Sequence, residues 1–479
     1  MSSAIVWFRQ DLRLADNPAL HHALSNHEQV ILAYLHAPDE AAPWQPGAAK
    51  QWWQHHSLAA LQQVVEKLGG KLLLRQGPSI TALLALIQES SATAVYWNRV
   101  HEPALIKRDA LIWQRLEERQ IHCQSFNGTL LYPPGSIMTQ SGQPYRVFTP
   151  FWHECQKQGL GDPPLPTAQQ LHSTPLASMA LEDLQLLPTI PWDQGLQANW
   201  QPGEAAAHQQ LEQFCDEALN GYPQQRDFPG MPGTSRLSPY LANGEITPRQ
   251  IVAMLMQQFI GNNSSAASSD HLIRELGWRE FAYHILHHYP HTTEQPLNER
   301  YAQFPWQQNP QLLRAWQQGC SGFPLIDAGM RQLWQTGWMH NRVRMVVASF
   351  LCKNGLIDWR EGARWFWDTL VDADLASNTL NWQWAAGCGA DAAPYFRVFN
   401  PVRQSERFDA DGEYLHQWLP ELKGVPKKLI HQPWKGNRGV QQLPELGDGR
   451  DYPPPILDLN ITRQAAIAAG KRMVKTNNV

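Results

Sequence analysis

The sequence predicts two domains joined by a long linker: an N-terminal α/β domain built on a parallel, Rossmann-like sheet, and an all-helical C-terminal domain. The chain has 479 residues, more than one compact core usually holds. Short apolar runs alternate with helical stretches up to about residue 130, proline is frequent from 157 to 203, and helical periodicity returns at residue 204. We therefore expect domains at 1–130 and 204–479, with the connecting linker at 131–203.

The parallel sheet is predicted from four short apolar runs with helical periodicity between them, the pattern of strands joined by crossover helices. The predicted strands are 4–8, 30–35, 71–74 and 94–97. A helical segment at 111–119 closes the series. No G-x-G-x-x-G follows the first strand, so a bound dinucleotide cannot be argued from a phosphate-cradling loop.

The C-terminal domain is predicted to be all helical because every periodic segment after residue 204 has helical spacing. The predicted helices are 211–219, 248–259, 271–288, 310–318, 327–335, 339–353 and one from 360 onward. The tail after Pro433 is rich in glycine and proline and ends in a short basic helix at 463–475.

Composition describes a globular protein with an unusual number of tryptophans. Hydrophobic residues make up 43% and charged residues 17% of the chain, and no apolar run is long enough to cross a bilayer. The N-terminus lacks a signal-peptide pattern, and the six cysteines form no C-x-x-C pair, so we expect a cytoplasmic protein with reduced thiols and no metal site. The net charge of −4 means that nucleic-acid binding would need a local basic groove. The 21 tryptophans can pack a core, stack on flat ligands or carry electrons.

The segment 371–384, V-D-A-D-L-A-S-N-T-L-N-W-Q-W, concentrates two carboxylates, an amide and two indoles. Asp374, Asn378 and Trp382 are spaced four apart, so on a helix they form one stripe. Such a stripe can hold a polar planar ligand and exchange electrons with it. The alternative is a polar stripe that is buried and merely hydrogen-bonded, or that faces solvent.

Two further segments each allow a functional and an ordinary interpretation. The hydroxyl-rich run G-T-S-R-L-S at 233–238 can bind phosphate at a helix start, or it can simply cap that helix through Thr234 or Ser235. In the helix 271–288, Glu275 beside Trp278 suits a nucleobase, although Glu275 can instead pair with Arg279 four residues on.

Several stretches, taken together and in order, resemble the DNA photolyase and cryptochrome family over about residues 5–420. The matching stretches are V-W-F-R-Q-D-L-R-L-A-D-N, Y-W-N-R followed by E-P, Q-Q-R-D-F-P with G-T-S-R-L-S, E-L-G-W-R-E-F, F-P-L-I-D-A-G-M-R-Q-L, G-W-M-H-N-R-V-R-M-V-V-A-S-F, D-A-D-L-A-S-N, and F-N-P with F-D-A-D-G-E-Y.

The resemblance implies an FAD in the helical domain and gives each motif residue an expected role. The pyrophosphate side of FAD would be held by Tyr222, Thr234, Ser235, Leu237 and Ser238. The rest of the flavin would be surrounded by Glu275, Arg279, Asn341, Arg344, Asp372, Asp374 and Asn378. The expected electron relay is Trp382, Trp359 and Trp306. A flipped-out pyrimidine dimer would meet Glu275, Trp278, Asn341, Met345 and Trp384, with DNA phosphates at Arg226, Arg342 and Arg397.

The resemblance favours light-driven repair of cyclobutane pyrimidine dimers in DNA, with a blue-light photosensor and a (6-4) photoproduct photolyase as alternatives. The (6-4) enzymes carry His-His where this chain has His340 and Asn341, and plant cryptochromes carry an aspartate at the position of Asn378. However, Thr379-Leu380-Asn381 replaces the Asn-Gly-Gly of most bacterial enzymes, which places the chain in a subgroup near plant cryptochromes.

A second, light-harvesting chromophore is also expected from the resemblance. Methenyltetrahydrofolate is favoured and a deazaflavin is the alternative. Ala104 and Leu105 stand where many folate-binding relatives have Asn and Glu, so we expect a folate bound differently, near Glu40 and Trp52. The expected partner is DNA that contains pyrimidine dimers, and nothing in the sequence requires more than a monomer.

Overall fold

The computed structural model describes residues 3–172, 174–259, 265–435 and 452–475. Most of the glycine- and proline-rich tail predicted after Pro433 lies outside these residues. The described residues form two compact units. Unit 1 comprises Met1–Asn220, Ser235–Pro290 and Val371–Ala376, and unit 2 comprises Gly221–Thr234, His291–Leu370 and Ser377–Val479. Both units are discontinuous along the chain, whereas the predicted domains are continuous.

Unit 1 is organised around a five-stranded, all-parallel sheet in the order β3-β2-β1-β4-β5. The strands are β1 Ser3–Phe8, β2 Gln29–His36, β3 Leu72–Gln76, β4 Ala94–Asn98 and β5 His122–Phe126. The four predicted strands are therefore confirmed. The fifth strand, H-C-Q-S-F, was missed because it is a mostly polar edge strand with no apolar run.

Both faces of the sheet are covered, as expected of a parallel sheet. In the central strand β1, Val6 and Phe8 enter the core on one face while Ile5 and Trp7 enter the core on the other. The segment predicted as a linker belongs to unit 1, and leucines from it, such as Leu171, join the first of these cores. Prolines prevent long helices in this segment, but its leucines still bury apolar surface against the sheet.

The helices as far as the end of α11 lie in unit 1, except for the short α8, which belongs to unit 2. They are α1 Pro18–Asn26, α2 Ala48–Lys67, α3 Ser79–Ser90, α4 Pro103–Glu117, α5 Phe148–Gln158, α6 Gln194–Asn199, α7 Glu204–Glu217, α8 Tyr222–Gln225, α9 Ser238–Ala242, α10 Pro248–Phe259 and α11 Ser265–His288.

All of the longer elements described in unit 2 are helices, as the sequence predicted. They are α12 Pro310–Gln318, α13 Pro324–Thr336, α14 Asn341–Ser349, α15 Trp359–Thr369, α16 Leu375–Ala386, α17 Pro401–Phe408, α18 Glu413–Trp418 and α19 Leu459–Lys475. The first two residues of α16 belong to unit 1. The predicted helix 339–353 is α14 followed by one turn of π-helix, Phe350–Asn354. Within the described ranges, no helix is both long and apolar enough to span a membrane.

Candidate functional site

The loop 371–374, which links α15 to α16, carries the two predicted aspartates in fixed positions. The Asp372 carboxylate accepts a hydrogen bond of 2.6 Å from the Ser238 hydroxyl at the start of α9. The Asp374 carboxylate accepts one from the Tyr283 hydroxyl on α11. Burial and the nearby carboxylate of Asp374 raise the pKa of Tyr283 well above its ordinary value, so this phenol remains a donor.

The backbone of the same loop is held by two more side chains of unit 1. The Asn243 amide donates to the carbonyls of Val371 (3.1 Å) and Pro239 (2.7 Å). The Lys50 ammonium, on α2, donates to the Ala373 carbonyl at 3.3 Å. Four consecutive loop residues thus each receive a hydrogen bond from a different side chain, which we call the loop clamp: Lys50, Ser238, Asn243 and Tyr283.

The helix α11 places the other predicted residues of unit 1. The Arg279 guanidinium donates to the Thr129 carbonyl at 2.9 Å and lies 4.9 Å from the ring centre of Tyr283. It therefore packs on the same phenol that binds Asp374. Glu275 is half-buried one turn earlier.

Trp278 stacks on Phe148 of α5, with ring centres 3.8 Å apart and planes inclined by 9°. One face of the predicted lesion-stacking indole is therefore already covered. The approach of α11 to α5 depends on Gly277, where an added Cβ atom would lie 2.5 Å from the Trp152 ring. Phe148 was not singled out from the sequence, because nothing in its spacing relates it to a helix 130 residues later.

The predicted pyrophosphate residues occupy the turn before α9 and the start of α8. The Ser235 hydroxyl accepts from the Leu237 amide at 3.5 Å, and the Ser235 carbonyl accepts from the Gln210 amide at 3.1 Å. The N-cap of α9 is Leu237 and no side-chain hydrogen bond caps this helix, so the predicted cap by Thr234 or Ser235 is wrong. The phosphate role of these residues stays a prediction. Tyr222, at the start of α8, is buried and carries the Arg226 guanidinium 5.2 Å from its ring centre.

In unit 2, Asn378 and Trp382 both contact α15. The Asn378 amide donates to the Ala363 carbonyl at 3.0 Å, and Trp382 packs edge-on against Phe366 at 5.0 Å. Trp382 is only 2% exposed, so the solvent-facing alternative is wrong for this indole. Asp374 lies one residue before α16, so the predicted helical stripe contains Asn378 and Trp382 but not Asp374.

The three predicted relay tryptophans all lie in unit 2 and differ in exposure. Trp382 and Trp359 are both 2% exposed, whereas Trp306 is half-buried and lies 4.3 Å from Phe304. This order of exposure suits a relay from the surface to the interior. Sequence reasoning missed Trp316, which is fully buried with its ring centre 6.1 Å from that of Trp382.

The predicted lesion contacts of unit 2 cluster at the start of α14. Asn341 is exposed and begins the helix, and the His340 imidazole caps it by accepting from the Arg342 amide at 3.2 Å. Burial lowers the pKa of His340 to about 4, so the ring is neutral and can accept. The Arg344 side chain donates to the Met339 carbonyl at 2.7 Å.

Arg342 and Arg397, two of the three arginines predicted to contact phosphate, differ in their partners. Arg342 pairs with the Asp227 carboxylate at 2.7 Å and lies 3.9 Å from the Met345 sulfur. Arg397 is exposed, and its carbonyl accepts from Lys353 at 2.9 Å. Among the described residues Arg397 has no ion-pair partner, so it is better placed than Arg342 to meet a phosphate.

Trp384, the last of the predicted lesion contacts, is hydrogen-bonded to the loop that precedes Arg397. The half-buried Trp384 accepts a backbone hydrogen bond from the Ala393 amide at 3.2 Å.

The residues expected near a second chromophore have structural partners in unit 1. Glu40 accepts from the Ser79 amide (2.7 Å) and hydroxyl (2.6 Å), which satisfies the start of α3. Trp52 is 1% exposed and packs against His56 at 4.6 Å. Their place in a chromophore site stays a prediction. In the described ranges, no three His, Cys, Asp or Glu side chains are grouped so as to hold a metal ion.

A parallel α/β unit, a helical unit rich in tryptophan and a loop whose two carboxylates are hydrogen-bonded are together compatible with the flavoprotein that the sequence predicts. Comparison with known proteins agrees. Residues 4–170 match the family model for DNA photolyase, and residues 272–472 match the model for the FAD binding domain of DNA photolyase. The chain therefore belongs to the DNA photolyase and cryptochrome family and carries its FAD-binding domain.

Individual relatives place the chain among the bacterial members, near the plant cryptochromes. It is 44% identical to the deoxyribodipyrimidine photo-lyase of Agrobacterium fabrum over 98% of both chains. It is 38% identical to cryptochrome-2 of Arabidopsis thaliana, over 98% of this chain and 78% of that one. The crystal structure of a class III photolyase from Agrobacterium tumefaciens superposes with a TM-score of 0.92 at 43% identity, covering 99% of this chain and 98% of that one.

The contact of Trp382 with α15 makes Gly362 sensitive to any side chain. A Cβ atom at Gly362 would lie 2.0 Å from the Trp382 ring. We expect Gly362→Ala to destabilise unit 2 by roughly 1–3 kcal/mol, because overpacking outweighs the helix propensity of about 1 kcal/mol that alanine adds. Thermal unfolding measures this loss. The exposed neighbour Glu361→Ala should change stability by less than about 0.5 kcal/mol, and equal stability of both variants would contradict the packing assigned to Trp382.

Proposed function

We propose that this protein is a light-driven lyase that repairs cyclobutane pyrimidine dimers in DNA, with FAD as its cofactor. The observation that carries this proposal is the loop clamp in a chain of this family, which fixes Asp372 and Asp374 where the family motif expects flavin contacts. The chemistry that FAD supplies to such an enzyme is a light-driven transfer of one electron to the dimer, followed by its return.

The side chains of unit 1 fit a flavin chemically. Carboxylate oxygens are hydrogen-bond acceptors, which suits the N–H and hydroxyl donors of FAD, and the Arg279 guanidinium suits its carbonyl or phosphate oxygens. The remaining proposed FAD contacts of unit 1 are Ser235, Leu237, Ser238 and Glu275. Those of unit 2 are Tyr222, Thr234, Asn341, Arg344 and Asn378.

Asn378 is proposed to set the working redox state of the cofactor, and three tryptophans are proposed to transfer electrons to it. The Asn378 amide, which also bonds to α15, cannot donate a proton as a carboxylic acid can. It therefore favours a fully reduced working state of the cofactor over a signalling state. Trp382, Trp359 and Trp306 pass electrons inward in short steps, because a chain of indoles divides one long transfer into several.

The substrate side uses stacking, amide contacts and charge. Trp278 and Trp384 form the walls for a flipped-out dimer. Glu275 and Asn341 hydrogen-bond its carbonyls, and Met345 packs beside it. The proposed phosphate contacts are Arg226, Arg342 and Arg397.

The second candidate function is a blue-light photosensor without repair, favoured by the 38% identity to a plant cryptochrome. The dimer contacts Glu275, Asn341, Met345 and Trp384 argue against it, because a sensor has no need of them. We further propose a cytoplasmic monomer with a folate antenna near Glu40 and Trp52, a deazaflavin being the alternative antenna.

Repair itself is the first test. The reduced, FAD-loaded protein should restore two thymines from an oligonucleotide with one thymine dimer under blue light, as followed by chromatography. A sample kept in the dark is the control. A protein that holds FAD yet restores no thymine under light would favour the photosensor.

The relay predicts a separation of two activities. Trp382→Phe should slow light-driven reduction of oxidised FAD by at least about tenfold, because phenylalanine is far harder to oxidise. Repair by chemically pre-reduced protein should persist. Trp334→Phe, at an indole that is 61% exposed, is the matched control and should leave both rates unchanged. Equal loss of both activities in the Trp382 variant would show that this indole is only structural.

Binding to damaged DNA should weaken as salt rises, because phosphate contacts release counterions. Three arginine contacts predict a slope of log affinity against log salt of about −2 to −3. Arg397→Gln should reduce this slope by about one. Arg119→Gln, at an exposed arginine of unit 1, should leave it unchanged. A salt-independent affinity would rule out the phosphate contacts.

A further inference from the structure

Lys50 is a buried cation whose charge has no role in the proposed function, where this residue enters only through its hydrogen bond to the loop backbone. It lies in the first turn of α2 and is 9% exposed. Its ammonium donates to two backbone carbonyls, Ala242 at 2.7 Å and Ala373 at 3.3 Å. Lysine is rarely buried, since desolvating an ammonium is costly. A position that keeps this charge inside the fold needs an electrostatic reason.

That reason is the set of carboxylates around it. Burial lowers the pKa of Lys50 to about 8, and four acids act against this shift: Asp374, Glu102, Glu245 and Asp372. Two of them flank Ala373, the loop residue whose carbonyl Lys50 binds. At neutral pH the side chain is still mainly protonated. The positive charge of Lys50 therefore lies beside the middle of the loop 371–374, which carries the negative charges of Asp372 and Asp374.

We infer that Lys50 is a positioning residue of the flavin site: by holding the Ala373 carbonyl and balancing the flanking carboxylates, it fixes the directions of Asp372 and Asp374 and sets the charge felt by the cofactor. The inference rests on the proposed assignment of both aspartates to FAD. Two carboxylates so close in sequence repel each other in a medium of low dielectric constant, and a buried cation beside them reduces that repulsion.

The charge has a second consequence, for the redox potential of the bound cofactor. Reduction adds electrons to the flavin, and a nearby positive charge stabilises the added negative charge. Removal of the ammonium should therefore make the midpoint potential of the bound flavin more negative. A lysine that served only to fill space would not affect this potential.

Three variants separate charge from packing. Lys50→Met keeps the unbranched stem but removes the charge and both hydrogen bonds. Lys50→Arg keeps the charge. Lys71→Met is the matched control in the same unit, because the Lys71 ammonium also donates to a backbone carbonyl, that of Leu176 at 2.6 Å.

The experiment measures FAD affinity by fluorescence titration of the flavin-free protein, the midpoint potential of the bound flavin, and thermal unfolding of the flavin-free protein. We expect Lys50→Met to weaken FAD binding at least tenfold and to shift the potential to more negative values. Lys50→Arg should restore the potential and part of the affinity. Lys71→Met should behave as the unaltered protein in both measurements.

Two results would overturn the inference. One is a Lys50→Met protein whose FAD affinity stays within twofold of the original. The other is a loss of affinity that parallels a loss of flavin-free stability, with the potential unchanged, which would make Lys50 purely structural.

Asp372→Asn and Asp374→Asn belong in the same titration. If neither variant weakens FAD binding, the assignment of the aspartates fails, and the inference about Lys50 fails with it. None of these measurements uses DNA. A protein that fails the repair assay can therefore still confirm the inference about Lys50, and the two failures are distinguished.

Discussion

The structure depends on holding two carboxylates in place in a largely buried loop. Removal of Asp372 and Asp374 from water is costly unless each is hydrogen-bonded or paired. The hydroxyls of Ser238 and Tyr283 bind the carboxylates, and Lys50 binds the backbone between them. Because the clamp supplies these partners from unit 1 itself, the loop geometry does not have to be created by a ligand, and little ordering entropy remains to oppose binding.

The rest of unit 1 explains why the clamp is rigid. Helix α2 packs Leu58 into the core on one face of the sheet, and its buried Trp53 lies 5.2 Å from the ring centre of Tyr240 on α9, so the position of Lys50 is fixed by packing on both sides. Tyr283 is fixed in a similar way, because α11 packs closely on α5 at Gly277. A sheet that is buried on both faces thus provides the rigid support on which a binding site needs to be built.

The sequence revealed most of the fold but only part of the candidate site. Strands β1 to β4 were predictable because buried parallel strands are continuous apolar runs, whereas the polar edge strand β5 gives no such signal. Asp372, Asp374 and Trp382 were found through a local motif. Lys50 and Phe148 were not, since a lysine at the start of a helix is usually solvated, and the Phe148–Trp278 stack joins distant segments. Contacts of this kind are created by the tertiary fold and leave no pattern in the local sequence.

A crystal structure of the FAD-loaded protein tests the central claim most directly, through the positions of the loop atoms. The account predicts that the loop 371–374 keeps all four clamp contacts with a backbone shift below about 1 Å. It also predicts that the carboxylates of Asp372 and Asp374 lie within hydrogen-bond distance of FAD atoms. A loop that abandons Lys50 and Tyr283 on loading, or an FAD bound without contact to either aspartate, would contradict it.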